Sequence, residues 1–526
     1  GLMQLVAYGA QDQYLTGNPQ ITFFKIVYRR YTNFSIESIQ QTFSGTPDFG
    51  RKLSCSISRN GDLMYKTYLQ VTLPQINCDL SPNNRFRWLN WIGHVLVKSV
   101  DIEIGGQQID KHYSEWLHIW NELTQVPGKQ EGYANMVGNV PRLTQVVKGH
   151  ASASTNASNQ NIEDTQGCIP ETTIYIPLQF WFCKNPGLAL PLIALQYHEV
   201  KINVEFRESK YCYWATGKYT VTPPQIKTAS LYVDYIYLDT EERRRFTQVN
   251  HEYLIDQLQF RGSESVNSVS NKIKLSFNHP VKELVWVVQP DENVDVTATQ
   301  NFGGLQFYNF TDQLDVSYYS GTPGDPLGGG MVGGQAASGM NYPWGLPLVG
   351  TGVKNTETNT GTEYIHYYPD AGSTTGGGID YSSGGWGGIM APQVTSTYNI
   401  TPPAVTSSNL PLFDFGSNPI VTAKLQLNGH DRFSEREGRY FNLVQPYQHH
   451  SNIPATGINV YSFSLNPEDH QPSGTCNFSR IDVANLILTL TDKAVKFNKN
   501  CKVRVYALNY NILRITSGMG GVTYSN

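Results

Sequence analysis

The sequence predicts an all-β protein made of two like halves, and three observations carry that prediction. Charged residues are only 16% of the 526-residue chain, while Tyr, Phe and Trp together reach 12%; an average soluble protein has roughly 25% charged residues. Aromatic side chains suit a pleated, half-buried surface, so this composition favours strands. Short apolar runs closed by turn residues recur along the chain with the spacing of a β-sandwich. The third observation is that one set of motifs occurs twice in the same order.

The elements follow in order. A strand at 53–57 ends at Arg59-Asn60-Gly61-Asp62, where Asn-Gly supplies the positive φ angles of a tight hairpin. Another at 95–104 ends at Gly105-Gly106, and a third at 174–182 ends at Asn185-Pro186-Gly187. Only two stretches, 113–123 and 240–248, have the pattern of a short helix. The second lies between a strand at 231–238 and a new apolar run at 253–260, which makes it the candidate linker, with the boundary near Glu242. A chain this long exceeds one ordinary core and divides into domains of about 200 residues or more. The expected division is a first domain at 31–241, a linker at 242–250 and a second domain at 251–526. Within the second, residues 301–418 are dense in glycine, including Gly328-Gly329-Gly330 and Gly376-Gly377-Gly378. Such a stretch cannot bury enough surface for its own core, and it reads as a large exposed insertion with some hairpins.

The repeat is the most useful pattern. Asn185-Pro186 is followed by Pro191, the aromatic Tyr197 and an apolar strand at 200–206; Asn466-Pro467 is followed by Pro472, Phe478 and a strand at 483–490. Upstream of each lies a strand with a glycine turn and an acid-base pair, Asp110-Lys111 in one half and Asp431-Arg432 in the other. Downstream of each lies an aromatic strand, 232–236 and 503–507. Three elements repeated in order indicate two copies of one β-domain.

Function classes fall away on charge and spacing. A net charge of -4 argues against coating nucleic acid, which requires excess Lys and Arg. Two basic clusters, Lys25 with Arg29 and Arg30 and Arg243-Arg244-Arg245, read as solvated or subunit-facing patches. Seven scattered cysteines without a C-x-x-C spacing suggest reduced core thiols rather than disulfides or zinc. The opening residues lack a secretory signal pattern, so cytosolic synthesis is the expectation. His198-Glu199 and His251-Glu252 begin like H-E-x-x-H, but Ile202 and Ile255 stand where the second ligand belongs. Gly328, Gly330 and Gly333 fit G-x-G-x-x-G without the strand and helix that aim it at a pyrophosphate. His449-His450 is expected on a surface loop. No catalytic residue, metal site or cofactor is predicted.

Several blocks carry a family resemblance. Residues 5–12 (LVAYGAQD), 14–25 (YLTGNPQITFFK), 102–113, 185–201 (NPGLALPLIALQYHEVK), 233–238, 251–260, 428–433, 471–482 (QPSGTCNFSRID) and 509–524 resemble the major capsid proteins of nucleocytoplasmic large DNA viruses, closest to those of algal chloroviruses. The blocks run in family order over nearly the whole chain. The resemblance implies two consecutive eight-stranded antiparallel jelly-roll β-sandwiches, a double jelly roll with long surface loops and a few short helices. It implies a structural capsid protein of a large icosahedral DNA virus, assembled in the host cytoplasm into homotrimeric capsomers of pseudo-hexagonal outline. Its partners would be further copies of itself, neighbouring capsomers and minor capsid proteins beneath the shell, with no direct genome binding. Residues 1–30 would form the base segment, with Lys25, Arg29 and Arg30 as contacts to the inner proteins, and the glycine-rich insertion would face outward.

The resemblance also points to glycans on outer loops. Asn355 and Asn359 stand in Asn-Thr-x-Thr strings and are the leading candidates; Asn399 and Asn309, in N-x-S/T sequons, follow. The sequons at Asn33 and Asn477 lie in framework blocks and are discounted. Trp88 to Trp91 and Trp116 to Trp120 read equally as interface anchors or buried core. Two alternatives stay open. The insertion, longer than in chlorovirus relatives, fits a minor or vertex-associated capsomer paralogue. Tyr364, Tyr367, Tyr368 and Trp386 among the glycines fit a carbohydrate-binding β-sandwich.

Overall fold

A computed structural model of the protein describes residues 2–7, 9–78, 84–144, 147–148, 168–295, 305–312, 351–354, 362–365, 416–495 and 500–525. Eight strands of the first half make two antiparallel sheets: β1 (Phe34–Gln41), β2 (Lys52–Ser56), β3 (Leu63–Leu73), β4 (Val97–Ile104), β5 (Gln107–Tyr113), β6 (Thr172–Pro177), β7 (Val200–Phe206) and β8 (Thr228–Leu238). One sheet runs β1-β8-β3-β6 and the other β2-β7-β4-β5. Alternate residues of each strand point between the sheets: Leu69, Val71 and Leu73 of β3, Ile102 and Ile104 of β4, Ile202 and Val204 of β7 are all fully buried in one core. Period-two alternation thus fixes which face is inside.

The second half repeats this arrangement strand for strand. Its strands are β9 (His251–Val266), β10 (Ser270–Leu275), β11 (Pro280–Pro290), β12 (Ile420–Leu427), β13 (His430–Asp431), β14 (Ile458–Ser462), β15 (Ala484–Leu490) and β16 (Cys501–Thr516). The sheets run β9-β16-β11-β14 and β10-β15-β12-β13, the first-half orders with eight added to every strand number. This is a double jelly roll: each half folds two sheets face to face, which limits exposed sheet edges. The helix α2 (Thr240–Gln248) joins the halves, started by the Asp239 side chain accepting from the Thr240 N–H at 2.8 Å.

Two features lock the halves together. The helix α1 (Ser114–Thr124) follows β5 and is buried on both sides. Leu117 enters the first core, whereas Trp116, Ile119, Trp120 and Leu123, spaced as one helical face, pack on Leu258, Val285, Val287, Ile458, Val460, Tyr506 and Leu508 of the second half. The sheet β9-β16-β11-β14 is therefore apolar on both faces. Leu284, Trp286 and Val288 of β11 point into the second core while Val285 and Val287 meet α1. Such a strand reads as a continuous apolar run.

The second lock is a C-terminal hairpin of β16 with β17 (Met519–Val522), turning at Ser517-Gly518. The Tyr197 N–H donates to the Gly518 carbonyl at 3.0 Å, and Leu513 and Ile515 complete the first-half core. Gly518 has φ +81, and a Cβ there would lie 2.6 Å from the Tyr197 ring, so this turn requires glycine.

The root of the glycine-rich insertion is anchored at both ends. Leu305 and Phe307 enter the first core and Phe310 the α1 contact. The Asp312 N–H donates to the Ser417 carbonyl at 3.0 Å, and the Ser417 N–H donates back to the Asp312 carboxylate at 2.8 Å. Inside the insertion, Thr351–Lys354 pairs with Thr362–Ile365 as an antiparallel hairpin.

Candidate functional site

The histidines singled out in the sequence do not converge. His198 bonds the Gly520 backbone through Nδ1, helping to seat the C-terminal hairpin. His251 bonds the Phe246 carbonyl at 2.8 Å and stacks on the Phe246 ring. His449-His450, expected on a surface loop, instead ends a helix, and the His450 side chain is fully buried. Its Nε2 donates to Glu283 at 2.8 Å and its Nδ1 to Glu468 at 2.9 Å. Burial alone would lower its pKa, but the Glu283 and Glu468 carboxylates outweigh burial and push the imidazole up to about 9. The three residues lie 167 and 18 positions apart, so no local sequence signal marks them. Among the described residues, no group of three or more His, Cys, Asp and Glu side chains could hold a metal ion.

The tryptophans divide between core and junction. Trp88 is fully buried in the first core. Trp116 and Trp120 belong to the junction, where the Trp116 ring lies 5.5 Å from that of Tyr506, itself stacked on Phe260 at 4.8 Å. Lys184, also of the first half, places its ammonium 4.0 Å over the Trp120 ring, a cation–π contact that helps hold Trp120 in place at the junction.

The surface features a protein of this shape would use to assemble are plain. Ahead of β1, the N-terminal arm contains two short helices, Leu2–Val6 and Ala10–Thr16, and is exposed throughout its described length. Its apolar residues include Tyr14 at 90%, Phe23 at 90% and Phe24 at 97% exposure. Lys25, Arg29 and Arg30 sit on this arm among Phe23, Phe24, Ile26, Val27, Tyr28 and Tyr31. An exposed apolar surface of this extent marks an interaction site.

Of the glycan candidates, Asn355, Asn359 and Asn399 fall outside the described residues. Asn309 is half-buried near the insertion root. Its Nδ2 donates to Gln306 at 2.8 Å, and its Oδ1 accepts from the Thr311 N–H at 3.0 Å and the Thr311 hydroxyl at 2.6 Å.

Both halves match known families. Residues 22–239 match the major capsid protein N-terminus, and residues 242–521 match the large eukaryotic DNA virus major capsid protein, more than half of the chain by itself. The chain belongs to the large eukaryotic DNA virus major capsid protein family. The major capsid protein of Phaeocystis pouchetii virus is 52% identical, over 100% of this chain and 99% of its own. That of Chrysochromulina ericina virus is 48% identical over 100% of both chains, and that of Paramecium bursaria Chlorella virus 1 is 37% identical over 100% and 99%. Among solved structures, the quasi-atomic PBCV-1 virus capsid aligns with a TM-score of 0.62 at 32% identity, over 96% of this chain and 100% of that one. The Faustovirus major capsid protein, 13% identical, shares the fold with a TM-score of 0.61 over 97% and 94%. The capsid protein is thus a structural component of the virion shell and not an enzyme, and the carbohydrate-binding reading gives way.

Proposed function

We propose that three copies of this capsid protein close into a homotrimeric, pseudo-hexagonal capsomer that tiles the shell beside neighbouring capsomers. The observation that carries this is the repeat of one strand order in both halves, with eight added to each strand number. Three chains then supply six similar sandwiches, the geometry by which a threefold object fits a hexagonal lattice. On this reading residues 31–241 and 251–526 are the two jelly-roll units and 242–250 their linker.

The exposed arm supports a base contact: apolar side chains beside Lys25, Arg29 and Arg30 suit minor capsid proteins beneath the shell. The insertion at 301–418 faces outward and carries glycans at Asn355 and Asn359, with Asn399 and Asn309 as further acceptors. Assembly takes place in the host cytoplasm, in keeping with seven free cysteines. A net charge of -4 fits the absence of direct genome contact.

Light scattering on the purified protein tests the trimer. The expected species has three times the chain mass of 58.9 kDa and is unchanged by EDTA; a chain that stays monomeric at high concentration overturns the capsomer. Removing residues 2–33 is expected to leave the trimer intact, at three times the shortened chain's mass, and abolish co-sedimentation with inner-shell proteins.

A further inference from the structure

The repeat makes one contact inside the chain that has no counterpart within it. In the first half, α1 lies between β5 and β6 and covers the outer face of the second half's sheet β9-β16-β11-β14. The element at the equivalent place in the second half, between β13 and β14, is one π-helical turn, Tyr440–Val444, running into the helix α3 (Gln445–His449). It buries Phe441, Asn442, Gln445 and Pro446 in its own half. Its other side exposes Leu443, Val444 and Tyr447, the last at 75%. A helical segment with an apolar side left in water lacks its partner.

The matching acceptor is also bare. The outer face of β1-β8-β3-β6, equivalent to the sheet face that α1 covers, presents Tyr68, Tyr175 and Tyr232 in a patch. The Tyr68 and Tyr232 rings stack 5.2 Å apart at 2°, and Tyr175 lies 6.1 Å from Tyr68. Among the described residues, Phe246 and Ala189 reach only the Leu63–Ile236 end of this face. The composition of the two faces differs in a telling way. The covered face is mostly aliphatic, Leu258, Val285, Val287, Ile458, Val460 and Leu508 around one tyrosine, Tyr506, whereas the bare one carries three tyrosines among Gln70, Thr173 and Ser230. A face that must remain soluble until a partner arrives favours tyrosine, which is apolar across the ring and wet at the hydroxyl.

We propose that the Leu443-Val444-Tyr447 face of one copy docks on the Tyr68-Tyr175-Tyr232 face of a second copy, repeating between chains the contact that α1 makes within one. The inference rests on the capsomer reading and names its interface. The contact is heterologous, head to tail, and it closes because the step from half to half is the same within and between chains. Each chain offers one helix face and one sheet face, so a ring leaves neither uncovered.

Two variants test it by light scattering, with far-UV circular dichroism to verify folding: L443D/Y447D, which spoils the helix face, and Y175D/Y232D, which spoils the sheet face. Each alone is expected to lose the trimer. Mixed, they have one intact helix face and one intact sheet face between them, so a species of twice 58.9 kDa and nothing larger is expected. Native-like variants that remain trimeric while the wild type is trimeric overturn this interface and leave the capsomer standing; a monomeric wild type overturns both. Should Y175D/Y232D fail to fold, a photo-crosslinking benzoylphenylalanine at position 447 serves instead. It is expected to join β3, β6 or β8 of an isotopically labelled second copy, and crosslinks elsewhere, or none, refute the docking.

Discussion

The first and second halves share a strand order yet bury their outer sheet faces differently. The outer face of β9-β16-β11-β14 is mostly aliphatic around Tyr506 and closed by α1, while that of β1-β8-β3-β6 is a patch of three tyrosines. Likewise α1 is buried on both sides, but α3 is buried on one. The difference means that a duplicated fold need not use its outer sheet faces alike: α1 covers the face in one half, and the equivalent face in the other half is left open with a more polar, tyrosine-bearing composition.

The largest expected effect tests the covered side of that comparison. Trp120→Ala empties an aromatic site between the halves and is expected to cost about 3–5 kcal/mol of stability, read as a lower urea midpoint. Leu443→Ala, on the uncovered side, is expected to leave the chain's own stability within about 0.5 kcal/mol. Equal effects would mean that the two faces are not in different states.

The halves should also differ in pH response. In the first, His94 is fully buried against the Tyr133 hydroxyl, and burial lowers its pKa to about 3; His118 beside it is held well below its ordinary value by burial and by His94. Unfolding releases both imidazoles to take up protons near the ordinary histidine value of 6.5. Their contribution is therefore present above pH 6.5 and lost as pH falls from there toward 3, by up to about 1.4 kcal/mol per pH unit for each group. In the second half His450 has the opposite sign. Its contribution is complete below pH 6.5 and is lost as pH rises through about 9. Thermal unfolding across pH should show an acid limb and an alkaline limb, and His450→Gln should flatten the alkaline one. Because that substitution leaves Glu283 buried without its cation, a loss of about 3–5 kcal/mol near neutral pH should accompany it.

A more local effect concerns the C-terminal lock. Gly518→Ala forces a side chain into positive φ and against the Tyr197 ring, at a cost of about 1–3 kcal/mol. Hydrogen exchange should then rise in β17 and around Tyr197 before the sheet cores change. Protection that falls evenly over both halves would refute a local lock.

Much of this architecture was legible because it rests on local chemistry. Gly105-Gly106 marks a turn, alternation marks strands, and 240–248 has the charge pattern of the helix that α2 forms. The hairpin expected at Asn60-Gly61 does not form, because β2 and β3 belong to opposite sheets and the chain crosses between them without a positive φ at either residue. The aromatic strands of the two halves were matched as strands, but their faces were not. Tyr235 points into the first core together with Leu231 and Val233, whereas Tyr506 points out toward α1 while Val505 and Ala507 face the second core, so motifs matched by spacing alone can be one residue out of phase and put their aromatics on opposite faces. His450 was misplaced for a similar reason: its two carboxylates arrive from β11 and from the stretch after β14.

By itself the sequence determined the fold class, the duplication and the family, since composition, periodicity and long undegenerate motifs are properties of the chain read in order. Tertiary structure alone decided that Trp116 and Trp120 join the halves, that His450 is buried as a cation, and that Tyr68, Tyr175 and Tyr232 form one face. Each depends on which residues distant in sequence meet and which side of an element they occupy, and a single bulge or helical turn is enough to change that.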